Sequence, residues 1–328
     1  MSNTPGQDSK QTPFKDAAYL VLGGNGFIGS HIVDKLAENG VTDIRVLDSF
    51  ERPAQFKETA ATTKIIGSAF DSKTLQKALQ DITYVVHSLG ATNPFTADAN
   101  PYADIENLQR SVEIFEQCAQ ADVRKIAFIS SGGAVYGSLA EKKSANEVDI
   151  AMPVSPYGIC KLATEHYLEY FKRKYGTEYV VYRLSNPYGP RQPFKKEHGV
   201  IPAFAHAILQ DKEITVLGDG SASRDYIYIE DAATMIAKSI SMENKQPVYN
   251  IGSGQQTTVS QIIEALENIF GKIAMTKHAE APKTTLQKTS ISIEAFLGEF
   301  ELSPSTDFHD GLAKTIKALA SHELVQST

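Results

Sequence analysis

The chain has 328 residues, 42% of them hydrophobic, enough to bury one large core or two moderate ones. A net charge of −7 with scattered basic residues argues against nucleic acid or an anionic membrane as the main partner. Only Cys118 and Cys160 occur, far apart and without metal-ligand spacing, so no metal site is expected and a reduced cytoplasm is the simplest setting.

Residues 1–16 are polar, include Pro5, Gly6 and Pro13, and lack the apolar centre of a signal sequence; they are expected to form a disordered tail. No later apolar run is long enough to span a bilayer. Residues 18–23 read as a short buried strand, followed by Gly23-Gly24-Asn25-Gly26-Phe27-Ile28-Gly29 and a helical pattern from Ser30 to Glu38. Two dinucleotide registers fit, Gly24-x-Gly26-x-x-Gly29 and Gly23-x-x-Gly26-x-x-Gly29. Such glycines permit a tight turn, let backbone amides approach a pyrophosphate at the positive end of a helix, and let helix and strand pack closely. Gly23, Gly26, Phe27, Ile28 and Gly29 are therefore candidate cofactor contacts. The next strand, 43–48, ends in Asp48, nineteen residues after Gly29. A carboxylate there binds the ribose hydroxyls and repels a 2′-phosphate, which favours NAD over NADP. The competing reading of Asp48 is a turn or helix cap, and Arg45 and Arg52 leave room for NADP.

Further strands are expected at 63–66, 82–87, 126–130 and 179–184, with helices at 72–80, 101–119 and 157–175. The alternation predicts an α/β fold with a doubly wound parallel sheet over residues 17–184. Ligands in such sheets lie at the carboxyl ends of the strands, which brings 23–29, Asp48, 87–90, 130–136 and 185–191 along one crevice. Tyr157 and Lys161 share one face of a helix about one turn apart. The lysine, with the cationic nicotinamide of an oxidised cofactor, favours phenolate and lowers a pKa that is ordinarily about 10. A phenolate can take a proton from a sugar hydroxyl while hydride leaves the same carbon. The bland alternative is a surface helix with a solvated lysine. Beyond residue 185, loops such as 186–190 and 218–220 separate shorter elements, the pattern of a smaller substrate domain over 185–328, with 248–251 returning to the sheet. His87 and Cys160 read as packing residues, and His198 and Lys195-Lys196 as loop residues.

These motifs resemble the extended short-chain dehydrogenases/reductases of the NAD-dependent epimerase/dehydratase family, in particular UDP-glucose (UDP-galactose) 4-epimerases. The resemblance covers about residues 18–255. It rests on the glycine fingerprint, the Tyr157–Lys161 pair, Ser130-Ser131-Gly132-Gly133-Ala134-Val135-Tyr136-Gly137, Arg183-Leu184-Ser185-Asn186-Pro187-Tyr188-Gly189-Pro190, Gly199-Val200-Ile201-Pro202, and Gly218-Asp219-Gly220 followed by Arg224-Asp225-Tyr226. It implies a Rossmann sheet, bound NAD and a nucleotide-sugar substrate, a UDP-hexose inverted at C4 through a 4-keto sugar. Tyr157 would take the hydroxyl proton and Lys161 would hold the cofactor ribose. Asn107 matches an asparagine near the cofactor, Asn186 would touch the diphosphate, Val200 and 215–217 would flank the base, and Arg224 would pair with phosphate. The resemblance also implies a homodimer through helices 101–119 and 157–175, with Val112, Phe115, Leu162, Tyr167 and Phe171 available; alternatively these side chains only cover the sheet.

Departures are specific. Gly132 stands where epimerases carry Ser or Thr, leaving Ser131 as the nearest hydroxyl, and Ala134 replaces a common threonine. Ser68 occupies the place of an adenine-contacting aspartate, and 281–284 lacks the usual arginine and acid. Gly132-Gly133-Ala134 supplies no acid for a dehydratase or decarboxylase. A keto-sugar reductase and a non-catalytic NAD-binding protein remain the competing readings.

Overall fold

The computed structural model describes residues 14–90, 92, 94–138, 144–193, 199–281 and 286–326. Of the tail expected over 1–16, residues 1–13 lie outside this set, while Phe14–Asp16 forms a turn of 3-10 helix with Phe14 edge-on to Tyr19. Lys195, Lys196, His198 and 282–284 also lie outside the described residues.

Alternation of strand and helix builds the first part of the chain. Strand β1 (Ala18–Leu22) leads into α1 (Phe27–Glu38), then β2 (Asp43–Asp48), β3 (Thr62–Ile66), α2 (Ser72–Ala78), β4 (Tyr84–His87), α3 (Pro94–Ala99) and α4 (Pro101–Gln120). Then come β5 (Lys125–Ser131), the single helical turn α5 (Gly132–Val135), α6 (Pro156–Tyr175) and β6 (Glu178–Leu184). These strands and β11 (Val248–Ile251) form one parallel seven-stranded sheet in the order β11-β6-β5-β4-β1-β2-β3. The order reverses at β1, so the carboxyl ends of β1 and β4 open a crevice of the kind that holds a dinucleotide.

Successive residues along β1 serve opposite cores. Tyr19 and Val21 join Ile32 and Leu36 of α1 on one face, with Ile236 of α8 (Ile229–Ser239) and Phe296 of α10 (Glu294–Phe300). Leu20 and Leu22 join Leu75 of α2, Phe115 of α4 and Phe171 of α6 on the other. With both faces covered, the strands read as continuous apolar runs. Each fully buried Leu, Ile or Phe contributes about 1.5–3 kcal/mol relative to exposure.

Residues 186–228 begin a separate set of elements: β7 (Asn186–Tyr188), α7 (Val200–Leu209), β8 (Ile214–Leu217), β9 (Ser223–Arg224) and β10 (Tyr226–Tyr228). They are joined by β12 (Thr257–Thr258), α9 (Val259–Phe270), β13 (Thr276–Ala279), β14 (Lys288–Thr289) and α11 (Phe308–Gln326). Their core contains Phe204 and Ile208 of α7, Val216 of β8, Leu266 of α9 and Leu312 of α11. Helix α8 and strand β11, although late in sequence, pack on α1 and pair with β6.

Local chemistry sets the helix that carries Tyr157 and Lys161. Ser155 caps α6 by accepting from the Gly158 amide at 3.2 Å, Pro156 pre-sets its first turn, and Gly176 ends it at φ 78°. Glu165, on the face turned to the sheet, accepts from Arg183 Nη2 at 2.7 Å and from Arg183 Nε at 3.1 Å. Ser130 Oγ donates to the same carboxylate. Only 7% and 5% of the Arg183 and Glu165 side chains are exposed, so breaking the pair leaves an uncompensated buried charge. Glu165→Ala is expected to cost about 3–5 kcal/mol, read as a lowered urea midpoint at unchanged slope.

Candidate active site

Strand β1 turns sharply at Gly23, φ 73°, a conformation that favours glycine, and the Gly26 amide donates back to the Gly23 carbonyl at 3.1 Å. Helix α1 starts at Phe27, inside the glycine motif rather than at Ser30. A Cβ on Gly29 would stand 2.3 Å from the Gly23 carbonyl oxygen and 2.7 Å from Ser88 Oγ, so only glycine lets the helix lie this close to the turn. Gly26 caps the helix without a side chain, leaving the first-turn amides free to receive an anion.

Asp48 lies beside this turn at the end of β2. Its Oδ2 accepts from the Asn25 amide at 2.9 Å and its Oδ1 from the Ser49 amide at 2.8 Å, which orients the carboxylate at the crevice. Asn25, which sequence reasoning passed over, is 4% exposed and fastens the following loop: its Oδ1 accepts from the Gln55 amide and its Nδ2 donates to the Arg52 carbonyl. Arg45 turns to Asp43 and the Ala78 carbonyl, not toward the glycine turn. Ser68 is exposed at the end of β3, where its Oγ accepts from the Phe70 amide, a local turn bond.

Beyond the glycine turn a pocket is lined by residues including Thr92, Asp104, Asn107, Tyr157, Cys160 and Lys161. Asn107 donates to Thr92 Oγ1 at 3.1 Å, and Thr92 donates to Asp104. Lys161 Nζ donates to the Ile129 carbonyl at 3.0 Å and stands 5.7 Å from the centre of the Tyr157 ring. Burial pushes its pKa down to about 8, against the opposing charges of Glu165 and Asp104. The Ser131 hydroxyl, at the end of β5, acts to lower the pKa of the Tyr157 phenol. Burial, and then the Asp104 charge, nevertheless push that phenol up to about 12, with only Ser131 pulling it down. Among the protein's own groups desolvation outweighs the lysine, whose ammonium donates to a main-chain carbonyl.

Gly132 sits in a tight place. A Cβ there would meet the Arg183 carbonyl oxygen and Ile291 Cδ1, each at 3.0 Å. Ile291, with Val135, Tyr136 and Ala145, forms a small core against the catalytic turn. His87 is 2% exposed between Phe115 and Phe128, with neither ring nitrogen partnered, and is a packing residue.

On the substrate side, Asn186 Nδ2 donates to the Asp225 carbonyl, and its amide side chain lies beside Gly133. Asp225 is not paired with Arg224; its carboxylate accepts from Ser185, from the Ser253 hydroxyl and amide, and from the Gly254 amide. Arg224 instead donates to the carbonyls of Ser223, Leu286 and Gln287, with no carboxylate partner among the described residues. Val200 opens α7 after Gly199, and Thr215 and Leu217 face outward from β8. The structure thus groups Gly23–Gly29 with Asp48, and Asn107, Tyr157 and Lys161 around the pocket, while Ser131 lies outside its lining and Ser68 stays in a turn of its own. No group of metal-ligating side chains occurs among the described residues, and none of their helices is long and apolar enough to cross a membrane.

The fold and pocket define a dinucleotide-dependent enzyme class. Residues 19–252 match the profile of the NAD dependent epimerase/dehydratase family, and the chain belongs to that family, whose cofactor is NAD. A Methanocaldococcus jannaschii protein provisionally named UDP-glucose 4-epimerase is 35% identical over 77% of this chain and 82% of its own. The dTDP-4-dehydro-6-deoxyglucose reductase of Escherichia coli is 29% identical over 92% of this chain and 96% of its own. The crystal structure of UDP-glucose 4-epimerase from Thermotoga maritima, with UDP-glucose, superposes with a TM-score of 0.86 at 31% identity, covering 93% of this chain and 99% of that one. The free amides of α1, the tight glycine turn and the oriented Asp48 fit NAD.

The crevice is also sensitive to acid. His31 of α1 is 4% exposed, and its Nε2 donates to the Pro190 carbonyl at 3.0 Å. Arg191 pairs nearby with Asp34. Burial and then the Arg191 charge lower the His31 pKa to about 4. The unfolded chain takes this proton below about 6.5 while the folded chain refuses it until about 4. The neutral ring's contribution is therefore complete above pH 6.5 and is lost as pH falls toward 4, by about 3 kcal/mol at most. Urea midpoints measured from pH 7 to 4 are expected to fall, and less steeply in His31→Gln.

Proposed function

We propose that the chain is an NAD-dependent nucleotide-sugar 4-epimerase that inverts C4 of a UDP-hexose through a 4-keto intermediate. The observation that carries this is the presence of Tyr157 and Lys161 together in the wall of one pocket, with Asn107 beside them and the glycine turn before α1 packed on Leu89 of the same wall. Gly23, Gly26, Phe27, Ile28 and Gly29 hold the pyrophosphate, Asp48 the adenosine ribose, and Lys161 the other ribose. Ser68 and Asn107 complete the cofactor side. When bound, NAD accepts a hydride from C4 and gives it back.

Tyr157 takes the proton of the C4 hydroxyl at its phenolic oxygen and returns it after the sugar has turned over. Ser131 accepts or donates in the same hydrogen bond, keeping the hydroxyl within reach of the phenol. Asn186 and Arg224 grip the diphosphate, and Val200 lies against the base; the sugar is then the one part free to rotate. Arg224 suits this role because its donors are held by carbonyl dipoles rather than neutralised by an acid.

A keto-sugar reductase is the second reading, favoured by the likeness to the Escherichia coli enzyme, and it would consume reduced cofactor stoichiometrically. A dehydratase fits less well, since the turn after Ser131 is Gly132-Gly133-Ala134. We also read the exposed Tyr102, Ile105, Ile159, Tyr167 and Tyr170 of α4 and α6 as the face on which two copies pair. Phe115 and Phe171 do not serve that face, being buried against the sheet. Two free thiols fit a cytoplasmic setting.

Proton NMR of the purified protein with UDP-glucose, UDP-galactose and their N-acetyl forms tests the reaction. Interconversion at C4 is expected, and Tyr157→Phe should lower turnover by about 10²- to 10⁴-fold while NAD remains bound. Silence on all four sugars with NAD bound would exclude the UDP-hexose reading, and unchanged turnover in Tyr157→Phe would exclude its catalytic role. Ser131→Ala should lose about ten- to a hundredfold. Adding Gly132→Ser should not restore it, because Ile291 fills that space.

A further inference from the structure

We propose that Asp104 is a positioning residue of this site: as the one carboxylate in the pocket wall that also holds Tyr157 and Lys161, with one oxygen buried and unpartnered, it sets the charge balance of the pair from α4. The inference rests on the reading of Tyr157 as the acid–base group.

Asp104 lies in the first turn of α4 and is 2% exposed. Its Oδ1 accepts from Thr92 Oγ1, which in turn accepts from Asn107 Nδ2. Its Oδ2 is buried with no hydrogen-bond partner. An orphan carboxylate oxygen is costly and persists where nearby charge or a bound donor compensates it. Among the described residues that line the pocket, Asp104 is the sole carboxylate and Lys161 the sole cation.

Other groups facing the pair are already committed. Glu165, on the same helix, is matched by Arg183 from β6. His87 from β4 is held neutral by burial. The Cys160 thiol is pushed up by burial and by Asp104 itself. Ser131 from β5 acts on the phenol in the opposite sense. The charge of Asp104 favours the protonated form of both Tyr157 and Lys161. A helix-capping acid in a first turn would stabilise α4 but would leave the ionisation of the pair where it was.

Asp104→Asn keeps the shape and the acceptor for Thr92 while removing the charge. Loss of that charge lets both groups deprotonate more easily, so both limbs of the pH–rate profile should move down together by about one unit. The ultraviolet tyrosinate titration of Tyr157, taken as the difference from Tyr157→Phe in full-length protein, should move by the same amount. Asp104→Ser, smaller and also neutral, provides the same test if the amide disturbs the fold. A lowered melting temperature or raised KM with both midpoints unmoved would overturn the proposal and leave Asp104 a structural residue. A wild-type protein silent on every nucleotide sugar would sink the epimerase reading, and the tyrosinate titration would still decide the role of Asp104.

Discussion

The buried ion pair between Glu165 and Arg183 is the constraint on which the site depends. It ties α6 to β6, and through Ser130 to the strand that ends in Ser131. Tyr157 and Lys161 lie two turns and one turn before Glu165 on the same helix, so their reach toward the sheet is set by that anchor. Such a pair gains little net stability over well-packed apolar residues, because both charges must be desolvated. What it provides is register: a helix sliding along the sheet would strand both charges. Arg183 also stacks over Tyr136, whose hydroxyl donates to Asn250 of β11. One chain of contacts therefore links α6, β5 and the strand that returns to the sheet from late in the sequence.

The site is less polar than its residue list suggests. Lys161 and Tyr157 are both displaced by desolvation toward their neutral forms, and the groups that act against this are few. In a dry cleft a single charge has more leverage than in water. Substrate and cofactor therefore bring much of the electrostatics with them, and the protein's part is to hold donors and acceptors still.

Much of this was legible in the sequence. The alternating apolar runs located the strands of the sheet, and the turn chemistry of Gly23–Gly29 located the cofactor crevice, because glycine spacing reports a backbone constraint directly. The pairing of Tyr157 with Lys161 followed from helical periodicity. Residues whose role arises only from tertiary contact were not legible. Asn25 looks like a turn residue until the loop after β2 folds back on it. Glu165 reads as a solvated helix position until Arg183 arrives from the next strand. Asp104 shares a helix face with Asn107, yet nothing in its spacing announces an oxygen without a partner. The weight of desolvation at Tyr157 was not legible either, since a sequence shows which charges are near but not how much water is excluded. The later strands, β7 to β10 and β12 to β14, are two to four residues long and joined by loops, so periodicity says little about them.

Gly132 and Ile291 stand 159 positions apart, yet they act as a single unit of volume. The room that a serine or threonine side chain would take at 132 is filled by a branched side chain from the segment preceding α10. A side chain returning to that position needs both Ile291 and the Arg183 carbonyl to give way by a few tenths of an ångström. A smaller residue at 291 relieves only half of that crowding, so the main chain of β6 takes part in deciding which residue stands at 132.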